Sequence, residues 1–306
     1  PNHPAGDPRD NGAGMASAHR VQPPDGSRAS RRTATGIHRH ARHGGAVSTG
    51  VGPALGAART GRFAGALLVL LLLALQPIAP ALSATCPEQA QPAIVSTGLA
   101  DALLRPGGVR IVAIGSSSTA GSGASDAAHA YPALLEARLR AALGPGITVL
   151  NRGQGGEDAD NMLARIGRDA IAERPDLVIW QLGANAAMRQ MDPDQFARFV
   201  RQGVAQLRQA GIDVVLMDNQ RAPRIAANPA NRRFDAVLAE IAATTPGVTL
   251  FARSKLMDGW AAAGVPADAL LIADGLHHND RGYACVAEAL ADALLAGLPV
   301  RPARTP

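Results

Sequence analysis

A cluster of small hydroxyl-bearing residues ends the first strongly apolar segment of the chain, residues 109–114. It reads Gly115-Ser-Ser-Ser-Thr119, and a turn of this kind between a strand and a helix can direct a hydroxyl into a cleft. Near the other end, Asp274-Gly-Leu-His277 combines a carboxylate with an imidazole. A serine hydroxyl is a poor nucleophile until a base accepts its proton, and a carboxylate can orient that base. The two segments therefore predict a serine hydrolase.

The chain between these segments alternates between apolar runs and amphipathic stretches. The apolar runs predict buried strands at 109–114, 147–150, 177–182, 214–217 and 248–251. The amphipathic stretches predict helices at 131–143, 158–172, 193–210, 230–244 and 281–296. This alternation is typical of a single three-layer α/β/α, flavodoxin-like domain with a parallel sheet of about five strands. Ligand sites in such sheets lie at the carboxyl ends of the strands, where the candidate residues fall.

The N-terminal part differs in composition from the rest. Residues 1–58 are rich in Pro, Gly, Ser, Arg and His, which predicts disorder, and a start on Pro rather than Met also fits an over-extended gene model. Residues 59–84 have the layout of a secretory signal peptide, with a 13-residue apolar run. As a helix that run would span roughly 20 Å, short of a ~30 Å hydrocarbon core, which argues against a membrane anchor. The folded domain is expected over 85–306, with its core at about 109–296.

The positive charge of the chain lies in its N-terminal part. The whole chain has a formal net charge of +5, but residues 1–62 hold nine Arg, three Asp and no Lys or Glu, which leaves −1 for the remainder. Aromatic residues make up only 3% of the chain. A domain that binds nucleic acid should itself carry clustered positive charge and stacking side chains, so no nucleic-acid partner is expected.

Four blocks of the chain resemble, in order and spacing, those of the SGNH (GDSL-type) hydrolase family of serine esterases and lipases. They are residues 115–119, 151–157, 183–185 and 274–277, and they span most of the predicted domain. Each block alone is short and unspecific. Together, each after its own strand, they form a specific signal.

The resemblance implies a role for five residues. Ser117 matches the nucleophile, His277 the general base, and Asp274 the carboxylate that orients it. The oxyanion hole would comprise the backbone N–H groups of Ser117 and Gly156 and the side-chain amide of Asn185. No metal or organic cofactor is implied. The Asp-x-x-His spacing selects His277 rather than the adjacent histidine as the base.

Each of these residues also has a purely structural interpretation. Ser117 and Asp274 could cap helices, Gly156 could supply a positive φ, Asn185 could cap a loop, and His277 could be an exposed loop histidine. All five residues occur together in the order typical of one family, which favours the catalytic interpretation.

The chain departs from the family pattern at two positions. Ser116 stands where the family usually has Asp, and Ala186 stands where it usually has Asp after the Asn. The pocket rim is expected from the loops at 186–192 and 218–224. Arg221 and Arg224 in the second loop could meet an anionic group, although solvent-facing arginines are the more ordinary interpretation.

The predicted activity is that of an exported serine hydrolase, periplasmic or secreted, which cleaves acyl esters of small molecules, lipids or glycans through an acyl-enzyme. Two alternatives are an O-acyltransferase acting on cell-envelope glycans and a non-catalytic glycan-binding module. No membrane span is expected after signal cleavage, and the oligomeric state is undetermined. Export would allow Cys86 and Cys285 to form a disulfide, but two independent thiols are an equal alternative.

Overall fold

The computed structural model describes residues 86–299, in which a parallel sheet lies between two layers of helices. The predicted segments at 1–58 and 59–84 lie outside the described residues. The strands begin and end within three residues of the predicted limits because their apolar runs are continuous. Nearly all residues of the three central strands are buried, whereas the two edge strands are partly exposed. They are β1 (Val109–Gly115), β2 (Ile147–Gly153), β3 (Leu177–Gln181), β4 (Asp213–Met217) and β5 (Val248–Phe251).

The strand order is β2-β1-β3-β4-β5, with every neighbouring pair parallel. The three-layer, flavodoxin-like fold predicted from the sequence is therefore confirmed. The chain runs from β1 outward to β2 and then returns to β3 on the other side, so the order reverses at β1. In α/β sheets of this kind ligands bind in the crevice at that reversal, outside the carboxyl ends of the strands. The turn at Ser117 lies directly there.

Ten α-helices connect and cover the strands within the described part of the chain. They are α1 (Thr97–Ala102), α2 (Ser117–Ala120), α3 (Tyr131–Leu143), α4 (Ala159–Asp169), α5 (Ala184–Met188), α6 (Pro193–Gln209), α7 (Pro223–Ala226), α8 (Asn231–Thr244), α9 (Arg253–Ala262) and α10 (Asp280–Ala296). Helices α3 and α10 pack together on one side, and α4, α6 and α8 pack in series on the other. Among the helices within residues 86–299, none has the length and apolar character needed to cross a membrane.

The five long helices predicted from the sequence are present, and their ends follow local signals. Pro193 lies in the first turn of α6, and Asp192 accepts a hydrogen bond from the backbone N–H of Gln195 there. Asn279 caps α10 through the N–H of Gly282. The helices absent from the prediction are α1, α2, α5, α7 and α9. Four of these have six residues or fewer, too short to show a helical period.

A disulfide bond joins Cys86 to Cys285 across 199 residues of sequence. It fastens the first described residue to the second turn of α10, whose N-terminus follows the His277 segment. The indole of Trp260 donates to the carbonyl of Pro87 at 3.0 Å, a second contact that holds this segment on the domain.

Reduction of the disulfide should destabilise the domain. Because the bond closes a loop that contains nearly the whole fold, its loss should lower the free energy of unfolding by about 2–4 kcal/mol. Urea denaturation with and without reductant measures this change. Thiol titration in denaturant gives the control, since the chain holds only two cysteines. Two free thiols without reductant would show that the bond is not formed.

Close packing of α6 against the sheet should make Gly203 intolerant of a side chain. A Cβ at this position would lie 2.6 Å from Cζ3 of Trp180, a fully buried residue of β3. Gly203→Ala should therefore destabilise the protein by about 1–3 kcal/mol, the usual cost of overpacking. Gly167→Ala is the control, since a Cβ there meets nothing within 4 Å. It should stabilise α4 by up to about 1 kcal/mol. Equal effects in urea denaturation would contradict the packing argument.

Candidate active site

The structure brings the serine turn and the C-terminal Asp-x-x-His segment into direct contact. Ser117 is the first residue of α2, at the end of β1, and its Oγ lies 2.8 Å from Nε2 of His277. Nδ1 of His277 lies 2.5 Å from Oδ2 of Asp274. With Nδ1–H donating to the carboxylate, Nε2 is the unprotonated nitrogen and can accept the hydrogen bond of the serine hydroxyl. This is the geometry that activates a serine for nucleophilic attack.

The carboxylate of Asp274 also orders its own turn. Its Oδ1 accepts the backbone N–H groups of Leu276 at 2.9 Å and His277 at 3.0 Å, while Oδ2 faces the imidazole. Partial burial alone would raise the pKa of Asp274. The hydrogen bonds from His277 and Leu276 outweigh that effect and hold this pKa below its usual range. The carboxylate therefore stays ionised at neutral pH and can stabilise a protonated imidazole.

The three expected oxyanion donors lie at the same edge of the sheet. Asn185, in α5, donates from Nδ2 to the carbonyl of Glu157 at 2.8 Å, so its amide lies beside the loop that carries Gly156. A Cβ placed on Gly155 would lie 4.0 Å from Cβ of Ser117, so the same loop reaches the serine. Among residues 86–299, the backbone N–H groups of Ser117 and Gly156 donate to no other protein atom. Both remain available to a ligand oxygen.

The structural interpretations of these residues hold only in part. Ser117 does not cap α2, because the cap residue is Ser116. Asn185 lies inside α5 rather than at a cap. Gly156 does adopt a φ of 81°, so a side chain would be strained there irrespective of chemistry. Asp274 does cap its turn, with one oxygen, while the other contacts the imidazole.

The adjacent histidine has a different environment. His278 is fully buried, and its Nδ1 lies 3.2 Å from the carbonyl of Leu270. Burial, with a smaller contribution from the charge of Arg253, lowers the pKa of His278 to about 3. This residue is neutral, and its ring packs against that of Tyr283 with 5.4 Å between the centroids. In the described part of the chain, no group of three His, Cys, Asp or Glu side chains is arranged to hold a metal ion.

Gln181, the last residue of β3, organises the serine turn and was not singled out in the sequence. Its buried Oε1 accepts the backbone N–H of Ser116 at 3.0 Å, the hydroxyl of Ser116 at 3.1 Å and the hydroxyl of Thr119 at 3.2 Å. Ser116, one of the two departures from the family pattern, is thus a donor to this amide. The only signal in the sequence is a polar residue within an otherwise apolar strand. The second departure, Ala186, is fully buried in α5.

A second amide holds the peptide group before the base. Gln220 follows β4, and its Nε2 donates to the carbonyl of Leu276 at 3.3 Å. The fully buried guanidinium of Arg253 donates to Oε1 of Gln220 at 2.7 Å and to the carbonyl of Asp218 at 2.8 Å. The orientation of the Gln220 amide follows, because its oxygen must face the arginine.

The loop at 218–224 contributes less to the rim than expected. Asp218, Asn219 and Gln220 are buried. Arg221 is neither an anion-binding nor a solvent-facing residue, because it forms ion pairs with Asp235 at 2.7 Å and Asp258 at 2.9 Å. Those two carboxylates occupy its guanidinium. The exposed residues near the site are instead at 223–224, where the N–H of residue 224 donates to the carbonyl of Gly275.

Residues 85–299 match the family model described as the Non-GDSL lipase-like family. No curated protein matches the chain in sequence. Several solved structures share the fold. A lipase/acylhydrolase from Enterococcus faecalis is 23% identical, with a TM-score of 0.54, and the match covers 64% of this chain and 100% of that one.

Two further structures show the same similarity. TesA is 25% identical with a TM-score of 0.52, over 60% of this chain and 97% of its own. A catalytic mutant of an acetylxylan esterase from Geobacillus stearothermophilus is 20% identical with a TM-score of 0.51, over 64% of this chain and 98% of that one. The described domain is therefore similar to these structures over nearly their whole length.

Burial of Asp218 should make stability depend on pH. Its carboxylate accepts the N–H and hydroxyl of Ser254, but burial, followed by repulsion from Asp235, raises its pKa to about 7. The unfolded chain loses this proton near pH 4 and the folded one near pH 7. The contribution of this group to stability is thus complete below pH 4 and falls as the pH rises to 7.

Asp218→Asn keeps the size but does not titrate. Its Oδ1 can accept the N–H of Ser254, and its Nδ2 can donate to the hydroxyl of Ser254. The free energy of unfolding of the wild type should therefore fall relative to this variant between pH 4 and pH 7, measured by urea denaturation. A difference that stays constant over this range would show that the carboxylate does not titrate as described.

Proposed function

The chain belongs to the Non-GDSL lipase-like family and is a carboxylic ester hydrolase, and we propose that it cleaves acyl esters through a covalent acyl-enzyme formed on Ser117. The observation that carries this proposal is the continuous hydrogen-bonded path from Ser117 through His277 to Asp274. No residue of this path needs to move before the serine can be deprotonated.

In the first half of the reaction Oγ of Ser117 attacks the ester carbonyl carbon while Nε2 of His277 takes the hydroxyl proton. The carbonyl oxygen becomes an oxyanion, which the N–H groups of Ser117 and Gly156 and the amide of Asn185 stabilise. Collapse of this intermediate breaks the bond to the alcohol oxygen, and the imidazolium returns its proton to that oxygen. Water then repeats the sequence and releases the acid.

The contact of Asn185 with Glu157 does not block its proposed role. A side-chain amide carries two N–H bonds, and the carbonyl of Glu157 uses one of them. Because the amide group is planar, this hydrogen bond also fixes the direction of the second N–H. A donor held in place before the substrate arrives stabilises developing charge without reorganisation.

The substrate class we propose is an acyl ester of a small molecule, a lipid or a glycan. The similarity to an acetylxylan esterase supports including glycan esters. We also propose that the protein is exported, to the periplasm or the medium. The disulfide between Cys86 and Cys285 supports this, because such bonds persist in oxidising compartments.

Replacement of the nucleophile should abolish ester hydrolysis while the fold remains. Ser117→Ala should lower kcat for p-nitrophenyl acetate by roughly 10⁴-fold or more and prevent labelling by a fluorophosphonate probe. Ser118→Ala is the matched control, since this neighbour is buried in the same turn and has no proposed role. It should keep its label and most of its activity. Wild-type turnover by Ser117→Ala would overturn the proposed mechanism.

A further inference from the structure

One peptide group beside the nucleophile is bound on both sides. The carbonyl of Gly115 accepts from Nη2 of Arg165 at 3.2 Å and from the backbone N–H of Gln154 at 2.9 Å. The N–H of Ser116, in the same peptide group, donates to Gln181. The next peptide group along the chain carries the N–H of Ser117. The contacts of Gly115 and Ser116 with Arg165, Gln154 and Gln181 therefore help to set the direction of the Ser117 N–H.

Arg165 reaches this peptide group from α4. Its side chain is almost completely buried, and its Nε donates to Oε2 of Glu157 at 2.7 Å and its Nη1 to Oδ2 of Asp169 at 2.9 Å. Burying a guanidinium is costly, and an apolar side chain of similar length would often be at least as stabilising. Only arginine can make these three contacts at once, because its guanidinium holds several hydrogen-bond donors in a rigid plane.

The carboxylate partner of Arg165 belongs to the loop that carries the second oxyanion donor. Glu157 directly follows Gly156, its side chain binds Arg165, and its carbonyl binds the amide of Asn185. One guanidinium thus contacts the backbone of the serine turn and the side chain of the oxyanion loop. Any shift of Arg165 would change the distance between the donors on these two segments.

We propose that Arg165 is a positioning residue for ester hydrolysis, which holds the N–H groups of Ser117 and Gly156 in one geometry for the oxyanion. This inference rests on the function proposed above. Arg165 acts through the backbone, since its side chain is only 6% exposed and its nitrogen atoms bond to Gly115, Glu157 and Asp169. Oxyanion donors are effective because they are fixed in advance, so a misplacement of about 1 Å can cost about a hundredfold in rate.

The test compares Arg165→Lys and Arg165→Met with wild type on p-nitrophenyl acetate. A lysine keeps the charge but cannot reach three acceptors, so kcat should fall by about a hundredfold while KM stays within about twofold. Arg165→Met leaves the carboxylate of Glu157 without its ion pair, while Asp169 keeps its pair with Arg168, and it is the variant more prone to misfold. Glu157→Gln keeps the arginine and should lower kcat by about tenfold.

Arg208→Lys is the control for a purely structural effect. Arg208 pairs with Asp213 at 2.5 Å, at the opposite end of the sheet from the site. This variant should lose stability and keep the wild-type kcat when both are measured well below the melting temperature. Arg165→Lys should lose kcat under the same conditions, with a folded fraction verified by circular dichroism.

A double-mutant cycle with Asn185→Ala separates positioning from stability. Glu157 binds both Arg165 and the amide of Asn185, so a shift of this loop should displace that donor as well. Part of the cost of Arg165→Lys should therefore be absent in the Asn185→Ala background. A kcat of Arg165→Lys and Glu157→Gln equal to wild type would overturn the inference. Activity in Ser117→Ala would instead overturn the proposed mechanism, whatever the result at Arg165.

Discussion

Peptide groups just beyond the carboxyl ends of the strands are buried, and they need hydrogen-bond partners that neighbouring strands no longer supply. In this protein long polar side chains supply them. Gln181 accepts the N–H of Ser116, and Gln220 donates to the carbonyl of Leu276. Each of these bonds holds the residue directly before a member of the triad. The need to satisfy buried backbone thus also determines where the nucleophile and the base lie.

The side-chain amides of Gln181 and Gln220 each have only one possible orientation, because the oxygen of each faces a group that can only donate a hydrogen bond. A backbone N–H can only donate, so Oε1 of Gln181 must face Ser116. Oε1 of Gln220 must face Arg253, which leaves Nε2 for the loop of the base. Neutral amides suit this task because they bind the backbone without placing a further charge near the imidazole. The buried charge of Arg253 acts through Gln220 rather than beside the site.

The strands, the five helices predicted above and the convergence of the candidate triad could be predicted from the sequence alone. Strands and long helices have periodic apolar patterns, and the triad lies in blocks with a recognisable order. Arg165, Gln181 and Arg221 could not be assigned in this way. Their roles depend on residues far away in sequence, such as Gly115 for Arg165 and Asp258 for Arg221. From the sequence alone an arginine is expected to be a charged surface residue. Only the structure shows which carboxylate or carbonyl it contacts.

The adjacent histidines show how strongly the local backbone separates two identical residues. An antiparallel bridge pairs Leu271 with His278, and in such extended backbone successive side chains point to opposite sides. His277 therefore faces the cleft and His278 the core. Because burial keeps His278 neutral, this residue adds no positive charge beside the base when the base takes the proton of the serine. The alternation at one short bridge therefore selects which of the two histidines can take the proton of Ser117.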